Sequence, residues 1–228
     1  MSRIILAAFI VIVAYASSAS AQNDPFACNT TLFDQCMTTF STSLNLTSSR
    51  PYDNPQQFRY QIEQYYQRGS FNGFFSFCRI FRAFKTCLGP EYINCMNVAH
   101  FAVNGKASLQ GAYDFVSVFS QQHFTCGAGF DIYVRNEDCI SSTWANHRFH
   151  IAQCYQAYYQ LIDGQSQAGC TAGRILSECF ESEFAENCSS ARTDVVWWGC
   201  EYGRTLMITQ FPQCDRMCTS KQKNILKF

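Results

Sequence analysis

Fourteen cysteines, all downstream of a short apolar leader, constrain this chain more than any other feature. In the leader, Arg3 is the only charge before Asp24, Ile4 to Ala16 is apolar, and Ala19-Ser20-Ala21 offers small residues for cleavage. A positive start, a short apolar run and an A-x-A end make a signal peptide. Residues 1–21 are therefore expected to be removed, and the mature chain to start near Gln22 and be secreted into the extracellular space. The apolar run is shorter than the about 20 residues that span a bilayer, and no later stretch is apolar enough. The basic tail, 219–228, matches neither a lipid-anchor nor an ER-retention signal. No stable membrane insertion is expected.

An even number of cysteines in an exported chain reads as a disulfide framework. They are Cys28, Cys36, Cys78, Cys87, Cys95, Cys126, Cys139, Cys154, Cys170, Cys179, Cys188, Cys200, Cys214 and Cys218. Zinc would want close pairs of cysteines, usually two of them, and only Cys214-x3-Cys218 has that spacing. All fourteen are expected in seven bridges, with no free thiol and no metal.

The spacing also repeats. Cys78-x8-Cys87-x7-Cys95 matches Cys170-x8-Cys179-x8-Cys188, Cys126-x12-Cys139 matches Cys200-x13-Cys214, and Gln35-Cys36-x3-Phe40 matches Gln153-Cys154-x3-Tyr158. This order points to a duplication, with a first helical unit over 22–140 and a second over 141–218. The segments Cys36 to Cys78 and Cys95 to Cys126 read as insertions in the first unit. If each unit closes on itself, six cysteines pair among six, equivalent positions pair equivalently, and Cys28 is left to tie the chain's ends together with Cys218.

Between the cysteines the apolar period is helical, in steps of three and four residues. It runs through Phe74–Phe84, Leu109–Phe119, Ile151–Ile162, Ala172–Phe184 and Val195–Thr209, and Pro55 to Arg68 begins with Pro and stops before Gly69, as helices prefer. Strand alternation is scarce. The expected fold is all-α and disulfide-rich, two related helical units packed together. Cys78 and Cys87 lie two and a half turns apart on one helix, about 13 Å of rise, too far for the 4.4–6.8 Å that a bridge allows. Each such helix must offer its cysteines to different neighbours. Gly89-Pro90 ends the helix after Cys87.

The paired C-x8-C-x7/8-C triplets, with Phe124-Thr125-Cys126-Gly127 and Asn136-Glu137-Asp138-Cys139 between them, resemble the nematode secreted cysteine-rich proteins grouped as domain of unknown function 19. The resemblance covers Cys28 to Cys218. It implies secretion, helices and disulfides, and brings no activity, cofactor or catalytic residue.

Candidate chemistry is thin. His147 and His150 sit three apart on a helix, but no third or fourth metal ligand is signalled. Gly164 to Ala168 lacks the second glycine and the strand-turn-helix context of a nucleophile elbow and reads as a polar loop. Glu178, Glu181, Glu183 and Glu186 read as a solvated helix face. Arg79, Arg82 and Lys85 form a basic stripe opposite a Phe face that carries Cys78, hence a core helix rather than a membrane-surface one. No catalytic residue and no cofactor is expected. Loss of Arg3 from 17 basic residues leaves 16 against 17 acidic ones, which disfavours nucleic acid as a partner.

Two functions remain open. One is a secreted, non-enzymatic interaction or structural module with an extracellular protein partner. The other is a carrier of an apolar small molecule or lipid, since aromatic residues (16% of the chain) line pockets as readily as they fill cores. In a secreted chain Asn29, Asn45 and Asn187 are N-glycosylation sequons. Asn45 is expected to be modified, Asn29 as well, and Asn187 rarely, being held beside Cys188.

Overall fold

A computed structural model describes residues 27–104, 106–163, 168–214 and 218. The leader, the tail beyond Cys218 and most of the polar loop around Gly164 lie outside the described residues. Within them the chain is all-helical, with no strand. The helices are α1 (Thr30–Ser43), α2 (Pro55–Tyr66), α3 (Phe75–Leu88), α4 (Glu91–Cys95), α5 (Val98–Val103), α6 (Leu109–Thr125), α7 (Phe130–Arg135), α8 (Glu137–Asn146), α9 (Arg148–Ile162), α10 (Gly169–Cys188) and α11 (Thr193–Gln210). A 3-10 turn, Pro51–Asp53, precedes α2, and a π-helical turn, Ser70–Phe74, leads into α3. None of the described helices is long and apolar enough to cross a membrane.

Local chemistry sets the boundaries. The side chains of Asn29, Asn54, Asn97 and Ser108 accept a backbone N–H in the first turn of α1, α2, α5 and α6, which satisfies donors a helix start leaves unpaired. Pro55 opens α2. Gly89, at φ 53°, ends α3 in a conformation that L side chains rarely adopt.

All fourteen cysteines are bridged, and none is free. The pairs are Cys28–Cys95, Cys36–Cys87, Cys78–Cys126, Cys139–Cys188, Cys154–Cys179, Cys170–Cys214 and Cys200–Cys218. Cys78 and Cys87 do go to different neighbours, as helix geometry requires. The expected end-to-end bridge does not form, because Cys28 takes Cys95 and Cys218 takes Cys200. The expected grouping of six with six also fails as drawn, because Cys139 leaves the first set for Cys188.

The repeat itself survives in a shifted frame. The six cysteines Cys28, Cys36, Cys78, Cys87, Cys95 and Cys126 pair first with fifth, second with fourth and third with sixth. The six from Cys139 through Cys154, Cys170, Cys179 and Cys188 to Cys214 pair in the same order. Cys28 thus corresponds to Cys139, and Cys126 to Cys214. Cys126-x12-Cys139 matched Cys200-x13-Cys214 only in length. A division at 140/141 would cut α8, and Cys200–Cys218 is an extra clip on α11. The second insertion disappears, since Cys95 and Cys126 lie 31 residues apart and Cys188 and Cys214 lie 26 apart. The first is real: the 3-10 turn and α2 stand between Cys36 and Cys78.

One contiguous core serves both sets. Phe40, Phe58, Phe84, Phe101, Phe115 and Phe119 fill the end nearer α1, with ring centroids 4.8–6.3 Å apart. Tyr66, Trp144, Trp198 and Tyr202 fill the other, with Trp198 stacked on Tyr202 at 5.4 Å. Such pairs add roughly 0.5–1.5 kcal/mol each beyond burial. The helices α10 and α11 cross closely because Gly173, Gly199 and Gly203 lie between them. A Cβ at Gly173 would stand 2.0 Å from Met207 Cγ.

Candidate functional site

The inserted helix α2 and the helix α9 lie alongside one another with a groove between them of about 560 Å³. Helical period builds both walls. Gln56, Arg59, Tyr60, Glu63, Gln64 and Gln67 recur in steps of three and four along α2, and Arg148, Ile151, Ala152, Tyr155, Gln156, Tyr159 and Gln160 do so along α9. Trp144, from α8, forms the inner wall, and Phe149 stands 71% exposed at the rim. Arg148 closes one end by donating from Nη1 to Tyr60 Oη at 3.0 Å. Past Tyr159 the groove continues into a second hollow of about 460 Å³ beside Gln110 and Asp114.

Two charged side chains sit behind the groove, both buried. Arg59 donates from Nε to Gln121 Oε1 at 3.2 Å, from Nη1 to Tyr159 Oη at 2.9 Å and from Nη2 to Ser117 Oγ at 3.1 Å, with its guanidinium 4.8 Å from the centre of the Tyr155 ring. Burial alone would lower its pKa, but Tyr159, Tyr155 and Asp114 outweigh that and the net shift is upward, so Arg59 is a fixed cation. Glu63 accepts from Tyr155 Oη at 2.6 Å and from Tyr202 Oη at 3.0 Å. Burial pushes its carboxyl up to about 7, with the hydrogen bond from Tyr155, the charge of Arg59 and the hydrogen bond from Tyr202 opposing. Glu63 therefore changes charge near neutral pH while Arg59 does not.

Two further donors lie behind the groove surface. Trp144 Nε1 and Gln67 Nε2 are buried in its wall, and neither has a hydrogen-bond partner in the protein. Buried polar groups are almost always paired, and leaving one unpaired costs about 1–3 kcal/mol. Neither atom is accessible from the open groove, so what the groove offers a ligand is its aromatic lining, Tyr60, Phe149, Tyr155 and Tyr159, with glutamines around it.

The residues that carry candidate chemistry in the sequence lie elsewhere. His147 and His150 lie on the far side of α9, facing α10. Glu183 is not part of a solvated face: its side chain is 13% exposed and lies against both histidines. Arg79 and Arg82 are exposed as expected, and Lys85 rests over the rings of Phe81 and Tyr92. Asn29 and Asn45 are exposed. Asn187 Nδ2 donates to Cys139 O, Ser142 Oγ and Thr143 Oγ1 at 2.8–3.2 Å. The groove residues were not singled out. The signal that could have found them was two helical stripes rich in Tyr and Gln, with Arg59 and Glu63 four apart on the otherwise uncharged inner face of the first.

Comparison with family models, with curated proteins and with solved structures finds no match.

Proposed function

We propose that this chain is a secreted, non-enzymatic binding protein that carries an apolar small molecule in the groove between α2 and α9. The observation that carries this is the groove itself, about 560 Å³ and lined by Tyr60, Phe149, Tyr155 and Tyr159. Of the two functions left open by the sequence, the carrier is the one the groove favours. Its ligand would lay an aliphatic or aromatic body against Tyr155, Tyr159 and Phe149 and present its polar end to Gln56, Gln64 and Gln160. Seven bridges support persistence in an oxidising, extracellular setting, and glycosylation at exposed sequons belongs to the same reading. Kinship with the nematode secreted family named above is held as a proposal that rests on the cysteine spacings alone.

Titration with dansyl-undecanoic acid, a fluorescent fatty acid, tests the assignment. Wild-type protein should give a saturable enhancement at one site per chain. Ala152→Trp, which fills the groove from an exposed position, should abolish it without altering the helical signal in circular dichroism. Enhancement of equal size and affinity in that variant would overturn the assignment.

A further inference from the structure

On the side of α9 turned away from the groove, three potential ligands come together: His147, the residue before α9, His150 on α9 and Glu183 on α10. His147 Nδ1 lies 2.7 Å from Glu183 Oε2, and His150 Nδ1 lies 3.3 Å from the same oxygen. One ligand atom from each of the three residues falls within 4.8 Å of the others. Donor atoms around a tetrahedral zinc, at about 2.0–2.1 Å from the metal, stand about 3.3 Å apart. The His150–Glu183 pair already has that spacing, and the His147–Glu183 hydrogen bond would open by about 0.6 Å to admit a metal in its place.

The fold holds the trio in place. Cys154 lies four residues after His150, and Cys179 four residues before Glu183, so each stands about one turn along its own helix. The Cys154–Cys179 bridge fixes those helices with Cα atoms 5.7 Å apart. The bridge and the His–Glu cluster are therefore consecutive rungs between α9 and α10. Preformed ligands on rigid elements bind metal more tightly than ligands that must be gathered.

The chain carries its own internal comparison. In the first cysteine set the corresponding bridge is Cys36–Cys87, and four residues after Cys87 stands Glu91, where Glu183 stands in the second. The positions of His147 and His150 are taken there by Asn29 and Leu32, and Glu91 accepts the Asn29 backbone N–H at 3.1 Å. The carboxylate is present in both sets, and the histidines only in the second.

We propose that His147, His150 and Glu183 form a binding site for a divalent transition-metal ion of the zinc type. Two imidazoles and one carboxylate suit such an ion, and three protein ligands leave a fourth position open to water or another donor. His150 is half-exposed, with 54% of its side chain accessible, which gives the ion a route in.

Cobalt(II) titration of untagged, fully oxidised protein tests this by visible absorption, with zinc(II) displacement as the second step. One equivalent of cobalt should bind and zinc should displace it. His150→Asn, at the most exposed ligand, should weaken binding by about tenfold or more, the scale of a disturbed metal site, with circular dichroism and thiol content unchanged. Glu183→Gln should weaken it comparably. No cobalt spectrum at micromolar protein, or a spectrum of the same affinity in His147→Asn/His150→Asn, would overturn the proposal.

Discussion

Replacing Glu63 with Gln isolates the one buried group in the groove wall that titrates near neutral pH. The folded carboxyl sits at about 7 against an ordinary 4.5, raised by burial. A raised pKa means that the folded state prefers the protonated form. That contribution to stability is fully present below about pH 4.5 and is lost as pH rises through about 7. At about 1.4 kcal/mol per pH unit, the ionised form costs about 3 kcal/mol above pH 8. Gln mimics the protonated acid and can still accept from Tyr155 and Tyr202. Glu63→Gln should therefore match the wild type near pH 4.5 and exceed it by about 3 kcal/mol at pH 8, roughly 6–12 °C in Tm for a chain of this size. Other groups titrate in the window, and His123, lowered to about 4 by burial and by Lys85, acts in the opposite direction. It contributes equally to both proteins and cancels in the difference. Thermal unfolding followed by circular dichroism between pH 4.5 and 8, with the bridges intact, measures that difference. A gap that does not widen with pH, or a wild type that is the more stable at pH 8, would refute the reasoning.

Three further outcomes are expected. Peptide mapping of unreduced protein should recover Cys28–Cys95 and Cys139–Cys188, and thiol titration of the denatured chain should find no free sulfhydryl; a Cys28–Cys218 peptide would contradict the shifted repeat. In protein from a eukaryotic host Asn45 and Asn29 should be glycosylated and Asn187 bare, because three hydrogen bonds hold its Nδ2; an occupied Asn187 beside a bare Asn45 would contradict this. Gly173→Val should cost roughly 1–3 kcal/mol by overpacking, read as a lowered Tm, since its Cβ would meet Met207; adding Met207→Ala should recover part of the loss, and no recovery would place the strain elsewhere.

The sequence carried the fold class and the helices whose apolar stripes are long. The stretches Phe74–Phe84 and Val195–Thr209 became α3 and α11 because each had a full face of Phe, Tyr, Trp or Leu to bury. Helix α1 was passed over. Its Thr- and Ser-rich surface is poor in helix propensity, and tertiary packing of Phe33, Met37 and Phe40 together with the Cys36 bridge holds it. The frame of the repeat was misread because loop lengths between cysteines are loosely constrained, so a chance match of spacings looked like the others. The pairing order, which only three dimensions reveal, carries the symmetry. The groove was hidden for a related reason: its walls come from an insertion in one half and a core helix in the other, about 90 residues apart. The Glu183 cluster was hidden because a glutamate among other glutamates looks solvated until the facing helix brings two histidines to it.

The most direct test of the carrier assignment is native mass spectrometry of the protein as secreted by a eukaryotic host, before and after solvent extraction. The expected result is a small-molecule adduct on the wild-type chain that extraction removes and that Ala152→Trp never carries. The same adduct on both proteins would contradict it, as would a bare wild-type chain that also fails to take up dansyl-undecanoic acid.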